Sequence, residues 1–237
     1  MSLLELFQMG GIFMWPLLLF SIATVAIALE RTIYFVYHTL RIDDLGGHIL
    51  VYIQEGNIRR AQSYLRNVDK RRVAKRILNV LLDRADLPDT LLEKAVASES
   101  VTCINDLESG LSYLTVLGSL SPLTGFLGTV SGMIGAFRSI AEATEVNAQI
   151  VASGIYEALI TTVFGLIIAI IAMIAHSIFN GLVDRFAANV EKTCSMLLTE
   201  VAVTNTKKSE EASGSKHEPV RLITSGKPVM LHLEDYT

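Results

Sequence analysis

Three long apolar segments constrain the fold of this 237-residue chain more than any other feature. They run roughly from Gly11 to Leu29, from Ser109 to Phe137 and from Ala148 to Val183. A helix needs about 20 apolar residues to cross a bilayer, and each segment supplies them. With 51% hydrophobic and 19% charged residues, the chain is also too apolar for an ordinary soluble domain. The sequence therefore predicts an all-α polytopic membrane protein with three transmembrane helices.

The first apolar segment shares one property with a signal peptide, because Ala26 and Ala28 resemble a cleavage site. A signal peptide, however, begins with a basic region and has a shorter apolar core. No Lys or Arg precedes Arg31. We therefore interpret the segment as a membrane span.

The positions of Lys and Arg predict the orientation. About a dozen lie between Arg31 and Lys94, whereas only Arg138 lies between the second and third spans, and cytoplasmic segments collect these residues. The N-terminus and the loop 138–149 are therefore predicted to be extracytoplasmic, and the C-terminus cytoplasmic. Cys103 and Cys194 then lie on the reducing side and are predicted to be free thiols.

The predicted cytoplasmic region reads as helices separated by short breaks, with a turn at 55–57. The predicted helices are about Leu45 to Gln54, Ile58 to Arg66 and Val73 to Ala85. Thr90 and Glu93 have the spacing of a capping box, which predicts that a helix starts there. Because neither Pro nor Gly occurs between Thr90 and Glu108, we expect this helix to run directly into the second span.

The third span is predicted to continue to about Ala202, so that two of the transmembrane helices extend into a cytoplasmic helical bundle. From Asn205 the chain is polar and without periodicity, which is typical of a flexible linker. Its last residues could form a small hairpin or remain disordered. The predicted regions are 1–36 (N-terminal segment and first span), 37–108 (cytoplasmic helices), 109–183 (second and third spans with their loop), 184–204 (cytoplasmic helix) and 205–237 (flexible tail).

The net charge of −4 and the balanced charges of the cytoplasmic region do not indicate nucleic-acid binding. Lys70 to Arg76 is a basic cluster. We interpret it as a topology signal on a solvated helix face, and contact with anionic lipid headgroups is the alternative.

Glu157 is an acid within the third apolar segment. An ionised acid near a helix centre costs roughly 2.5–3.5 kcal/mol on insertion scales, so such residues usually face a protein interior or water and mark an ion or substrate pathway. Residues three and four apart share a helix face. Gly154, Glu157, Ala158, Thr161 and Gly165 therefore form one narrow, partly polar stripe, with Thr162 beside it.

The second segment is rich in small residues and hydroxyls. Its predicted face consists of Pro122, Gly125, Thr129, Gly132 and Ala136. Gly128 and Gly132 form a GxxxG pair, and small residues let helices approach closely in lipid, so we interpret these glycines as packing residues. The same interpretation covers Gly154 and Gly165 on the third segment. Pro122 leaves a carbonyl without its helical donor.

Taken together, the stretches Gly125 to Val130 and Gly154 to Leu166 resemble the MotA/TolQ/ExbB proton-channel family, and the three-span layout resembles its ExbB and TolQ branch. The resemblance covers the chain up to about Thr204. It includes Gly10-Gly11, Pro16 and Glu30-Arg31 around the first span. The chain departs from the branch at Ile171, where relatives commonly have a proline that would kink the helix.

The resemblance implies channel-lining hydroxyls at Thr129 and Thr162 and the third-span acid at Glu157. Thr161, where relatives often have Ala, is a further candidate. It also implies a pentameric ring around the single spans of an ExbD- or TolR-like partner that carries the titrating aspartate, with a TonB- or TolA-like protein as a possible third component. The implied function is a motor subunit in the bacterial inner membrane, driven by the proton-motive force for outer-membrane import or envelope maintenance. No cofactor or metal is expected.

Three alternatives stand beside this interpretation. The chain could be a non-conducting scaffold whose Glu157 pairs with a neighbour. It could be a flagellar-type stator, although that branch has four spans. An intramembrane enzyme is disfavoured, because no second acid or His joins His176 and Ser177 at metal-ligand spacing. Both H⁺ and Na⁺ remain open as the transported ion.

Overall fold

A computed structural model describes residues 7, 10–38, 40–69, 72–142 and 148–214, with only the backbone described at 148, 150, 151 and 208–214. Lys70, Arg71 and the predicted hairpin near the C-terminus lie outside the described residues. Within these ranges the chain is built from helices and the turns between them. The helices are α1 (Met14–Tyr37), α2 (Asp43–Gln54), α3 (Ile58–Asn67), α4 (Ala74–Asp83), α5 (Asp89–Glu108), α6 (Leu111–Glu142) and α7 (Ala148–Gly214).

The prediction of three membrane spans is confirmed. Helices α1, α6 and α7 are each long and apolar enough to cross a bilayer. α1 contacts both α6 and α7, and the contact between α6 and α7 is the most extensive in the fold. The three helices therefore pack as one unit.

Helix α7 is much longer than a bilayer is thick. Its 67 residues span about 100 Å at 1.5 Å per residue, against about 30 Å of hydrocarbon. Helices α2, α4 and α5 pack on the far part of α7, and α3 is held by α2 and α4. We call α2–α5 and residues 179–205 of α7 the distal bundle. Its core is aliphatic and aromatic and includes Ile49, Ile53, Leu65, Leu78, Leu81, Leu92, Phe186 and Leu197.

The prediction that one helix runs from Thr90 into the second span is wrong. Helix α5 ends at Glu108 and α6 begins at Leu111, because Ser109 is extended (ψ 130°) and Gly110 has a φ of +87°. A methyl group at Gly110 would lie 2.8–3.0 Å from the guanidinium of Arg31. The glycine thus permits both the left-handed backbone and the close approach of an arginine from the end of α1.

The predicted capping box at Thr90 and Glu93 does not form. α5 starts one residue earlier, at Asp89, with Pro88 in the N-cap position and no side-chain cap. Proline already has a φ suited to this position, and the Asp89 carboxylate lies in the first turn, where the helix dipole favours a negative charge.

The polar segment that begins at Asn205 is helical where it is described. Helix α7 continues to Gly214, ten residues past the boundary predicted at 204. The Asn205 amide donates a hydrogen bond to the Ala85 carbonyl (3.0 Å), and the Thr204 hydroxyl donates one to Ile53 (3.4 Å). These tertiary contacts hold the helix where local composition predicts a linker.

Candidate functional site

Glycines bring the backbones of α6 and α7 into direct contact. A methyl group added at Gly165 would lie 2.5 Å from the Ser121 carbonyl oxygen, and one at Gly125 would lie 2.8 Å from the Thr161 carbonyl oxygen. Two further pairs of small residues extend the contact. The methyl group of Ala136 faces Gly154, and that of Ala158 faces Gly132. The α6–α7 contact therefore leaves no room for a larger side chain at these positions.

Thr161 lies inside this contact. Its side chain is 1% exposed, and its hydroxyl donates to the carbonyls of Ala158 (2.8 Å) and Gly125 (3.3 Å). A methyl group at Gly128 would lie 2.5 Å from the Thr161 oxygen. Thr161 thus joins the two helices by a hydrogen bond as well as by shape.

Thr162 and Thr129 are more accessible than Thr161. The Thr162 hydroxyl also donates to Gly125 (3.2 Å), but its side chain is only partly buried. The Thr129 hydroxyl donates to Phe126 on its own helix (2.6 Å) and is likewise partly buried. Both hydroxyls have a local acceptor and keep a lone pair for a further donor such as water.

Glu157 lines a cavity of about 570 Å³ at the end of the contact where α6 ends and α7 begins. The other walls are small or polar and include Ser131, Gly132, Gly135, Ser139 and Ser153. Gly10, Ile12 and Phe13 close the cavity from the segment before α1. A cavity with this lining has the polar groups and the volume that bound water requires.

Gly11 lies directly against the Glu157 carboxylate. Its φ is +66°, and a methyl group there would collide with the Glu157 Oε1 atom. Glycine is therefore required twice at this position, by its backbone conformation and by the approach of the acid. Sequence reasoning noted Gly11 only as part of the resemblance and gave it no role at Glu157.

The structure does not gather the predicted pathway residues into one cavity of a single chain. Thr161 and Thr162 share the Gly125 carbonyl, whereas Glu157 opens into the cavity one turn away and Thr129 faces outward from its own helix. Pro122 lies within α6 and is partly buried. One chain thus provides a row of polar groups along α6 and α7 and no continuous channel.

Thr24 is a buried polar residue that sequence reasoning missed. It is 1% exposed in α1, and its hydroxyl has no hydrogen-bond partner within the described ranges. The sequence signal for this residue was a threonine in the middle of an apolar segment. No group of three His, Cys, Asp or Glu side chains that could hold a metal occurs in the part of the chain that the structure describes.

The residues of this site fall within a segment that matches a known protein family. The model of the MotA/TolQ/ExbB proton channel family matches residues 65–192. This range includes α4 to α6 and the membrane half of α7. It therefore contains every predicted pathway residue.

Individual relatives agree with this match. The chain is 30% identical over 81% of its length to the biopolymer transport protein exbB1 of Vibrio cholerae, and the alignment covers 85% of that protein. It is 32% identical over 78% of its length to the putative biopolymer transport protein ExbB-like 1 of Synechocystis, covering 75% of that protein. Similarity to the Tol-Pal system protein TolQ of Pseudomonas aeruginosa is 38% identity over 40% of this chain and 42% of that protein.

Proposed function

The chain belongs to the MotA/TolQ/ExbB proton channel family, and from this membership we propose that it is the channel-forming subunit of an inner-membrane motor driven by the proton-motive force. In this proposal it works with a single-span ExbD- or TolR-like partner. The motor couples ion flow to outer-membrane import or to envelope maintenance.

The observation that carries the proposal is the position of Glu157. Its carboxylate lies in a cavity lined by serines and glycines within an apolar helix pair. An acid in a membrane span is costly unless water or a partner stabilises it, so such residues usually serve conduction. A residue needed only for packing would not require this polar space.

A ring of subunits would complete the pathway. Of the three proposed pathway residues, Glu157 lines the cavity and Thr129 and Thr162 do not, so other chains must complete the path between them. A pentamer around the partner's span would provide those walls. The apolar side chains exposed on α6 and α7, such as Phe126, Ile134 and Leu159, would then face lipid or neighbouring subunits.

The proposed route takes a proton from the extracytoplasmic side to Glu157, through water to the partner's aspartate, and out past the threonine hydroxyls. Each step moves one proton from one oxygen to the next. After the proton has passed, Glu157 and the partner's aspartate have their initial protonation states. One charge crossing 100 mV releases about 2.3 kcal/mol. That energy can shift a two-state rotor if protonation changes how the partner helix fits the ring.

The orientation belongs to the same proposal. Lys and Arg are more numerous in the distal bundle than in the connection between α6 and α7, which supports a cytoplasmic location for that bundle. Glu157 then lies near the extracytoplasmic entrance. A thiol-reactive probe that cannot cross membranes should label a cysteine introduced at Ser2 from outside only.

Proton flux into liposomes that contain this chain and its partner tests the proposal. Glu157→Gln and Thr162→Val keep the side-chain volume and should reduce flux at least tenfold, which corresponds to about 1.4 kcal/mol. Glu142→Gln is the matched control, because this exposed acid forms an ion pair with Arg138 in the i,i+4 position (2.8 Å) and lies outside the cavity lining. Native mass spectrometry should show that all three variants still assemble.

The opposite result favours the scaffold. If Glu157→Gln and Thr162→Val conduct and support work as the unmodified complex does, the two residues are not part of a pathway. A stable monomer in the presence of the partner would separately remove the ring.

A further inference from the structure

We propose that a pocket between the end of α1 and the start of α4 binds a phosphate group, and that the phosphate is that of an anionic phospholipid headgroup. The pocket has a volume of about 400 Å³. Tyr34 and His38 lie at the end of α1, Arg72 just before α4, Lys75 in its first turn and Asp106 in α5. We call it the headgroup pocket.

The depth of the pocket suits a lipid headgroup. Trp15 is 65% exposed near the start of α1, and Tyr34 lies nineteen residues later, which is about 28 Å along a helix. This distance matches the hydrocarbon thickness of about 30 Å, and Trp and Tyr favour the two membrane interfaces. The headgroup pocket therefore lies at the level of phosphates in one leaflet.

Within the described ranges, two of the three strong bases that line the pocket form no ion pair with a carboxylate. The Arg76 guanidinium is already paired with Asp106 (2.7 Å) and Glu99 (3.0 Å). Neither Arg72 nor Lys75 forms an ion pair with a carboxylate of the described residues. The headgroup pocket thus carries an excess of positive charge.

The Lys75 ammonium is held in place by backbone carbonyls. Its ammonium donates to the carbonyls of Val68 (2.6 Å) and Arg66 (3.2 Å), and the side chain is partly buried. These carbonyls lie at the C-terminal end of α3, where the helix dipole favours a cation, and they fix the position of the ammonium. Partial burial of such a charge costs free energy that a bound anion would recover.

The wall opposite these bases is aromatic and ordered. The rings of Tyr34 and His38 stack at 4.2 Å, and His38 Nδ1 lies 3.1 Å from the Tyr34 carbonyl oxygen. Asn79 adds an amide to the lining. A phosphate between Arg72 and Lys75 would therefore meet fixed polar groups rather than a freely moving surface. Clusters of basic residues next to the end of a membrane helix bind anionic headgroups.

Lipid retention by the full-length protein tests the proposal. The detergent-solubilised protein is mixed with phosphatidylglycerol or with phosphatidylcholine, and bound lipid is counted by native mass spectrometry. We expect phosphatidylglycerol to be retained preferentially. Arg72→Gln and Lys75→Gln should each weaken its binding about fivefold, since one basic residue near the surface contributes that factor.

Arg84→Gln is the matched control. Arg84 is exposed at the opposite end of α4, and its substitution removes the same charge. It should retain phosphatidylglycerol as the unmodified protein does. Arg72→Lys keeps the charge and should restore most of the binding, which separates loss of charge from loss of fold.

Two results would overturn the proposal. Equal loss in Arg72→Gln and Arg84→Gln, or loss in neither, would mean that the headgroup pocket is not the site. Displacement of the lipid by inorganic phosphate at equal concentration would assign the pocket to a soluble phosphate and remove the lipid.

Discussion

The two halves of α7 are held by opposite kinds of packing. In the membrane half, Gly154 and Gly165 let α6 approach so closely that a single added methyl group would collide with it. In the distal bundle, large side chains such as Phe186 and Leu197 are buried by α2, α4 and α5. One end of this continuous helix thus packs through residues without side chains, and the other end packs through large buried side chains.

The solvent explains the difference. Lipid tails are as apolar as leucine, so helices in a membrane gain little by burying large side chains and instead gain from close contact. Water surrounds the distal bundle, where burial of each large aliphatic side chain contributes about 1.5–3 kcal/mol. The two halves should therefore respond differently to added and to removed volume.

The largest expected effect is the loss of volume in the distal bundle. Leu81 is fully buried, and Leu81→Ala should reduce the free energy of unfolding by about 2–5 kcal/mol. Denaturation in detergent, followed by circular dichroism, measures it. Leu91→Ala is the control, since Leu91 is 52% exposed, and an equal loss there would contradict the assignment of the core.

The next effect is added volume in the α6–α7 contact. Gly165→Ala should destabilise the protein by roughly 1–3 kcal/mol, because the methyl group meets backbone atoms that cannot rotate away. Gly135→Ala should be neutral or slightly stabilising, since open space surrounds that position. The comparison between the two halves fails if both glycines tolerate alanine equally in the same denaturation assay.

A smaller effect separates the two adjacent threonines. Thr161→Val removes a buried hydroxyl that donates to Gly125 and should reduce stability by about 0.5–1.5 kcal/mol. Thr162→Val should instead act mainly on proton flux. Unfolding free energy and proton flux are measured for both variants. If Thr161→Val reduced mainly the flux and Thr162→Val mainly the stability, the two assignments would have to be exchanged.

The buried thiols of the distal bundle give the prediction that leaves stability at neutral pH unchanged. Burial raises the pKa of the Cys103 and Cys194 thiols from 9.0 to about 11. The folded state holds these protons more strongly, so their contribution to stability is complete below pH 9 and is lost as the pH rises through about 11. At pH 8 alkylation should be about a hundredfold slower than for a thiol with a pKa of 9.0. Rapid labelling at pH 8 would contradict this.

Several features were predictable because they depend on local sequence. The three spans follow from the length and apolarity of their segments, and the turn between α2 and α3 follows from Gly56, whose φ is +71°. The glycine faces of α6 and α7 follow from helical periodicity. The three spans needed no knowledge of a neighbour, because one segment's hydrophobicity decides whether it enters the membrane.

Other features required the folded chain. Arg31 lies against Gly110, between α5 and α6, and Asn205 in α7 donates a hydrogen bond to the Ala85 carbonyl. These contacts join residues that are distant in sequence, so no periodicity could indicate them. At Asn205 local composition predicted a linker, whereas the glycine at position 110 was itself a local signal for the end of a helix.

The sequence by itself determined that Glu157 and two adjacent threonines share a membrane span. Only the tertiary structure decided that Thr161 is buried against Gly125 and Gly128, and that Gly11 meets the Glu157 carboxylate. Neighbouring residues on a helix point about 100° apart. Which of them faces a protein contact and which faces an opening depends on where the next helix lies, and the packing of glycine against backbone fixes that position.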